Sequence, residues 1–137
     1  MTSNHFETSY SPRFSETDGL GHISNTVIPI WFEGARDPIF ELFNPTMDLN
    51  QWNLILAGFT VNFNLPTYYG KPVIIETSIS KLGRSSFEVY QRCIQDGVQT
   101  AEGRTTMVHY DYENEKSIAI SDSIKETIMK TCFKEQC

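Results

Sequence analysis

At 137 residues the chain has room for one domain with a substantial hydrophobic core, but not comfortably for two. A content of 39% hydrophobic and 20% charged residues excludes disorder, and a formal net charge of −6 with scattered Lys and Arg excludes broad binding along a nucleic-acid backbone. Cys93, Cys132 and Cys137 are odd in number and lack CxxC spacing, which excludes a disulfide framework and leaves no metal site expected.

Residues 5–15 read as a strand: Phe6, Tyr10 and Phe14 are spaced by polar residues, and Pro12 predicts an edge strand or a bulge. Thr17-Asp18-Gly19-Leu20-Gly21-His22 is a polar bend punctuated by glycine. A helix follows, with Ser24, Asn25 and Thr26 as N-cap candidates. Its stripe is Ile28, Phe32, Ala35, Ile39 and Leu42, and Asn44-Pro45 ends it. Pro29 suits a first helical turn. Pro38 cannot donate to the Gly34 carbonyl, so a kink between Gly34 and Pro38 is expected rather than two helices.

Beyond a polar loop the pattern turns to strands. Residues 52–64 alternate, and 65–72 connect them to a β-branched run at 73–82, with Val73, Ile75, Thr77 and Ile79 on one face. Gly83-Arg84 marks a turn and 85–95 the next strand. Asp96-Gly97 signals a hairpin into 98–112. Ser121 or Asp122 caps a short terminal helix through Ile124 and Ile128. Segregated helix and strands give an α+β class, in which a curved sheet can wrap one long helix. No repeat or linker divides residues 1–137, so a single domain is expected. No apolar run approaches the roughly 20 residues of a membrane span, the N-terminus lacks a signal-peptide pattern, and a cytoplasmic setting is expected.

The segment Arg13-Phe14-Ser15-Glu16-Thr17-Asp18-Gly19-Leu20-Gly21-His22-Ile23-Ser24-Asn25, followed by Trp31-Phe32-Glu33-Gly34-Ala35-Arg36, resembles the 4-hydroxybenzoyl-CoA thioesterase-like branch of the hot-dog superfamily. The matching residues are Asp18, Gly21, His22, Ile23 and Asn25, then Glu33, Ala35 and Arg36. The later strands and the turn at Leu82-Gly83-Arg84-Ser85-Ser86-Phe87 look like the family too. The chain departs from it at Pro38 and Gly34, which bear on helix shape more than on chemistry.

The resemblance implies a hot-dog fold and hydrolysis of an acyl-CoA thioester. Asp18 would be the catalytic carboxylate, backbone amides near Asn25 would polarise the carbonyl, and His22 would shape the site. Such chemistry needs an activated nucleophile or water and a stabilised oxyanion, and the first N–H groups of a helix supply the latter. Gly21, Lys81, Arg84, Ser85 and Ser86 are candidates for binding the CoA ester, with Arg13 and Lys71 weaker. Phe59 and Phe63, with Tyr68 and Tyr69, are candidates for an acyl channel, against the commoner fate of core packing. Glu33 and Arg36, at i and i+3, read first as an intrahelical ion pair, and second with Glu33 as the acid.

No cofactor is expected, since coenzyme A is part of the substrate. The family further implies a homodimer or homotetramer with sites between chains. Two other functions compete: a hot-dog hydratase, disfavoured by the Asp18-x3-His22 spacing, and a non-catalytic acyl-CoA or acyl-carrier binding module.

Overall fold

The computed structural model describes residues 4–135, so Cys137 lies outside it. Its strands are β1 (Phe6–Tyr10), β2 (Leu54–Phe63), β3 (Val73–Leu82), β4 (Ser86–Gln95), β5 (Val98–Asp111) and β6 (Lys116–Ser117). Its helices are α1 (Ile28–Ala35), α2 (Asp37–Phe43) and α3 (Asp122–Thr131). The sheet is antiparallel in the order β1-β3-β4-β5-β2, with β6 beside the end of β5. This is the α+β hot-dog architecture, a curled sheet around a central helical segment.

Strands β3, β4 and β5 form the expected meander. Val73, Ile75, Thr77 and Ile79 are all fully buried, as their alternation predicts. The Asp96-Gly97 turn is tight, with both residues at positive φ. β2, however, pairs with β5 instead of its neighbour in sequence, β3. Gly103 on β5 gives the Phe32 ring its seat, since a Cβ there would stand 2.9 Å from that ring.

Two apolar clusters fill the space between helices and sheet. One gathers Ile23, Ile28, Trp31, Phe32 and Ala35 against Val73, Ile75, Cys93 and Ala101. The other gathers Ile39, Phe40 and Phe43 with Ile79, Phe87, Val89, Met107 and Ile128 of α3. Ser121 caps α3, accepting the Ile124 N–H at 3.2 Å.

The expected single kinked helix is two helices. The Arg36 N–H turns back to the Glu33 carbonyl at 3.1 Å, which frees the Phe32 carbonyl. Gln91 Nε2 on β4 donates to that carbonyl at 2.8 Å and to Thr77 Oγ1 at 3.1 Å. Arg36 Nη1 donates to Gln91 Oε1 at 3.3 Å and to Thr105 Oγ1 at 3.4 Å. A buried polar layer thus separates the two apolar clusters at the helix break. Pro38 then sits in the first turn of α2, where its missing N–H is harmless.

The edges of the sheet differ. Beyond β1, the edge of β3 is closed by the C-terminal segment: Ile79 N–H donates to Cys132 O at 2.7 Å, and Lys134 N–H to Ile79 O at 2.9 Å. Among the described residues the far edge of β2 has no strand partner, and Ile55, Leu56, Phe59 and Phe63 are exposed along it. Among the described residues no helix is long and apolar enough to cross a membrane.

Candidate active site

The bend that carries Asp18 is held from three sides. Gly19 and Gly21 take φ of 91° and 83°, which the reversal requires. The 65–72 connection is stitched to the bend, with Ile23 N–H donating to Thr67 O at 2.7 Å and Tyr69 N–H to Gly21 O at 2.9 Å. Thr67 and Gln95 hold that connection in turn: Thr67 Oγ1 bonds Thr100 Oγ1, and Gln95 bonds both Tyr68 N–H and the Tyr68 carbonyl. The third tie runs to the helix, where Trp31 Nε1 donates to Glu16 Oε2 at 3.1 Å.

Glu16 is a site element that no sequence motif marks. Its carboxylate also accepts the Arg13 backbone N–H at 2.7 Å. Burial pushes this carboxyl up, but the hydrogen bonds from Arg13 and Trp31 and the Arg13 charge outweigh it and hold Glu16 below the usual glutamate range.

Asp18 Oδ1 accepts the Leu20 N–H at 2.9 Å, and Oδ2 lies 3.9 Å from His22 Nδ1. The Asp18 side chain is 40% exposed. It borders an open cleft of about 360 Å³, lined also by His22, Asn25, Ile28, Phe63 and Thr67. His22 packs edge-on against Tyr68.

The helix starts later than expected. Val27 is the N-cap of α1 and makes no side-chain cap bond. Ser24, Asn25 and Thr26 form the preceding turn, closed by Val27 N–H to Ser24 O at 3.0 Å. Thr26 N–H goes to Ser24 Oγ at 3.3 Å. The Asn25 backbone N–H has no hydrogen bond to any described residue. Asp18, His22, Asn25 and Phe63 are therefore brought together, with Gly21 shaping the bend that presents them.

The other candidates lie elsewhere. Phe59 borders a second cleft, with Pro29, Phe32, Glu33, Arg36 and Leu56. Lys81, Arg84, Ser85 and Ser86 sit at the opposite end of the sheet. Phe63 pairs with Ala101 and Ser86 pairs with Val108, a separation along β5 of roughly 23 Å. Lys71 pairs with Asp96 at 2.8 Å, and Lys81 approaches Glu88 at 4.0 Å. Tyr68 borders the cleft that Lys71 and Asp96 share. Glu33 is exposed and makes no close ion pair with Arg36, although its charge partly offsets the lowering of the Arg36 pKa by burial.

Among the described residues one group has metal-ligand character. His5, Glu7 and Glu76 bring ligand atoms within 4.8 Å of one another. Arg92 already pairs with Glu76 at 2.9 Å, and Lys134 borders the same hollow, so cations occupy the neighbourhood of those carboxylates.

A curled sheet around a central helical segment, with an acid-bearing bend at the helix entrance, defines the hot-dog thioesterase class. The chain belongs to the thioesterase-like superfamily, whose family model matches residues 12–128. It is 34% identical to a predicted thioesterase from Bacillus stearothermophilus, over 97% of this chain and 99% of that one, with a TM-score of 0.92. It is 25% identical to a thioesterase from Thermus thermophilus solved in complex with coenzyme A and Zn, over 89% and 95% of the two chains, with a TM-score of 0.79. The uncharacterized protein YsmA of Bacillus subtilis (strain 168) is 29% identical over 131 residues, covering 95% of this chain and 89% of that protein.

Proposed function

We propose that the protein hydrolyses acyl-coenzyme A thioesters, with Asp18 as the acid that acts on the carbonyl. One observation carries this reading within a thioesterase family: Asp18 and Asn25, whose backbone N–H is unbonded among the described residues, line the same cleft. The thioester carbonyl oxygen accepts the Asn25 N–H, at the positive end of α1, so charge developing on that oxygen is stabilised. Asp18 then works in one of two ways. It attacks the carbonyl carbon, expelling CoA thiolate and leaving a mixed anhydride that water cleaves. Otherwise it takes a proton from a water that attacks the same carbon. A burst of thiol release ahead of steady turnover marks the first route.

The single chain separates the Asp18 cleft from the Arg84 turn, and a dimer offers a way to reunite them. Antiparallel pairing of two β2 edges reverses the second copy. Its Arg84 end then lies beside the first copy's Asp18 end, where cations can meet the phosphorylated nucleotide of CoA. The unpaired β2 edge and its exposed apolar side chains support this pairing.

The test is thiol release from a panel of short, long and aromatic acyl-CoAs, with Asp18→Asn alongside. Turnover by the wild-type protein and its near-loss in Asp18→Asn is the expected result. Thermal stabilisation by the esters with no turnover at all would instead make this a binding module.

A further inference from the structure

The thioesterase reading leaves one buried charge without a task. Arg36 is 7% exposed, yet among the described residues no carboxylate lies within ion-pair distance of it. Its only side-chain hydrogen bonds among those residues run from Nη1 to two neutral oxygens, and at 3.3 and 3.4 Å they are long. Nε is enclosed and has no partner among the described residues. A buried guanidinium is costly unless an anion meets it, and its planar fork suits a carboxylate.

Arg36 borders a mostly apolar cleft of about 160 Å³ with Pro29, Ile30, Phe32, Leu56 and Phe59. The lining of that cleft follows directly on that of the Asp18 cleft along both α1 and β2. Ile28 and Phe63 line the one, and their neighbours Pro29 and Val61 the other. From Ile28 to Arg36 the helix rises about 12 Å. Glu33 also borders the Arg36 cleft, but it is exposed, where water and salt screen it.

We propose that Arg36 anchors a carboxylate carried by the acyl group, so that the substrate is a thioester of a dicarboxylic acid with its free carboxylate at the end remote from sulfur. The proposal rests on the thioesterase reading above. The apolar walls between Asp18 and Arg36 take the methylene chain, and the guanidinium takes the charged end. Binding thereby gives the buried cation a close counter-ion, which none of the described residues supplies.

The experiment compares kcat/KM for matched pairs on the full-length wild-type protein: succinyl-CoA with butyryl-CoA, suberyl-CoA with octanoyl-CoA, and sebacyl-CoA with decanoyl-CoA. At the length that reaches Arg36, the carboxyl-ended member is expected to lead by about tenfold or more, the worth of a charge-assisted hydrogen bond. In Arg36→Met, checked for folding by its melting curve, that ratio falls below one. Arg36→Lys, which keeps the charge and loses the fork, retains part of it. Equal or inverted rates for every wild-type pair overturn the proposal while leaving the thioesterase reading intact, and so does a carboxylate preference that survives in Arg36→Met. A protein that hydrolyses none of the six esters overturns this proposal, and the thioesterase reading falls with it only if the aromatic esters of the first panel are inert too.

Discussion

Trp31 on α1 donates its indole N–H to the Glu16 carboxylate at 3.1 Å, which ties the central helix to the turn two residues before Asp18. The same turn is tied again by Ser24 N–H to Glu16 O at 2.9 Å. The indole itself is buried, stacked on Tyr10. Replacing Trp31 by Phe keeps much of the apolar contact and removes the donor. The carboxylate then loses a charge-assisted bond, so the stability loss is expected at about 1.5–3 kcal/mol. It is read from urea unfolding midpoints. Because the bend carries the acid, kcat/KM falls as well, and a variant with unaltered stability and turnover would show that the tie is idle.

Glu16 also sets a pH dependence. Its folded pKa lies below the ordinary value of 4.5, because bonds from Arg13 and Trp31 outweigh burial. The stabilisation is therefore fully present above about pH 4.5, the unfolded value, and is lost as pH falls through the lower folded value. Glu88, held low against burial by Ser80 and Arg104, adds in the same direction. Unfolding free energy measured from pH 6 down to pH 3 is expected to fall, and to fall less steeply in Glu16→Gln.

Asp18 should separate activity from stability. Its carboxylate is half exposed and its one close bond is to the Leu20 N–H, which an asparagine oxygen also accepts. Asp18→Asn is expected to change the unfolding free energy by no more than about 0.5 kcal/mol. Its kcat should drop by roughly 10²–10⁴-fold. A folded Asp18→Asn protein with wild-type turnover of acyl-CoA would remove Asp18 from the chemistry.

How much of the fold and site is legible in the sequence depends on the range of the interaction. The bounds of β3 and the β4–β5 hairpin follow from β-branched alternation and from Asp96-Gly97, both local signals. The Asp18 bend and its closeness to Asn25 are local too, and they emerge together. Trp31 and Glu16 are brought together only by the fold, and no spacing rule announces their bond. Pro38 weighed against the Gly34 carbonyl alone predicts a kink instead of a break. The cause of the break includes Gln91, far along the chain on β4, which satisfies the carbonyl that the break releases. The separation of Arg84 from Asp18 depends on strand order, and β2 pairing with β5 is invisible to any single segment.

Asn25 distinguishes a backbone role from a side-chain role. It occupies the second position of the turn closed by Val27 N–H to Ser24 O, a position where proline is favoured in common turn types. Asn25→Pro removes the free N–H while suiting the turn, whereas Asn25→Ala removes only the side chain. If the amide stabilises the oxyanion, Asn25→Pro should cost roughly 10²–10³-fold in kcat and Asn25→Ala little. Equal losses in the two variants would place the effect in the side chain or in local folding.

The β2 edge yields the last prediction. Leu56 and Phe59 are 45% and 55% exposed on a strand whose outer edge is unpaired among the described residues. An exposed apolar edge of this length is a site for strand pairing, and natural sheets protect such edges with charge when no pairing is wanted. Here the chain places Leu56, Phe59 and Phe63 on β2 and no Lys, Arg, Asp or Glu anywhere along it. Sedimentation velocity on the wild-type protein is expected to show a dimer or a multiple of it. The double variant Leu56→Glu and Phe59→Glu should sediment as a monomer, because two carboxylates per chain would face their copies across the seam. The monomer should also bind coenzyme A more weakly, since the Arg84 end of a second sheet would no longer stand beside the Asp18 cleft. A wild-type protein that is monomeric at micromolar concentration, yet hydrolyses acyl-CoA at full rate, would show that one chain suffices and that the cations of the Arg84 turn take no part.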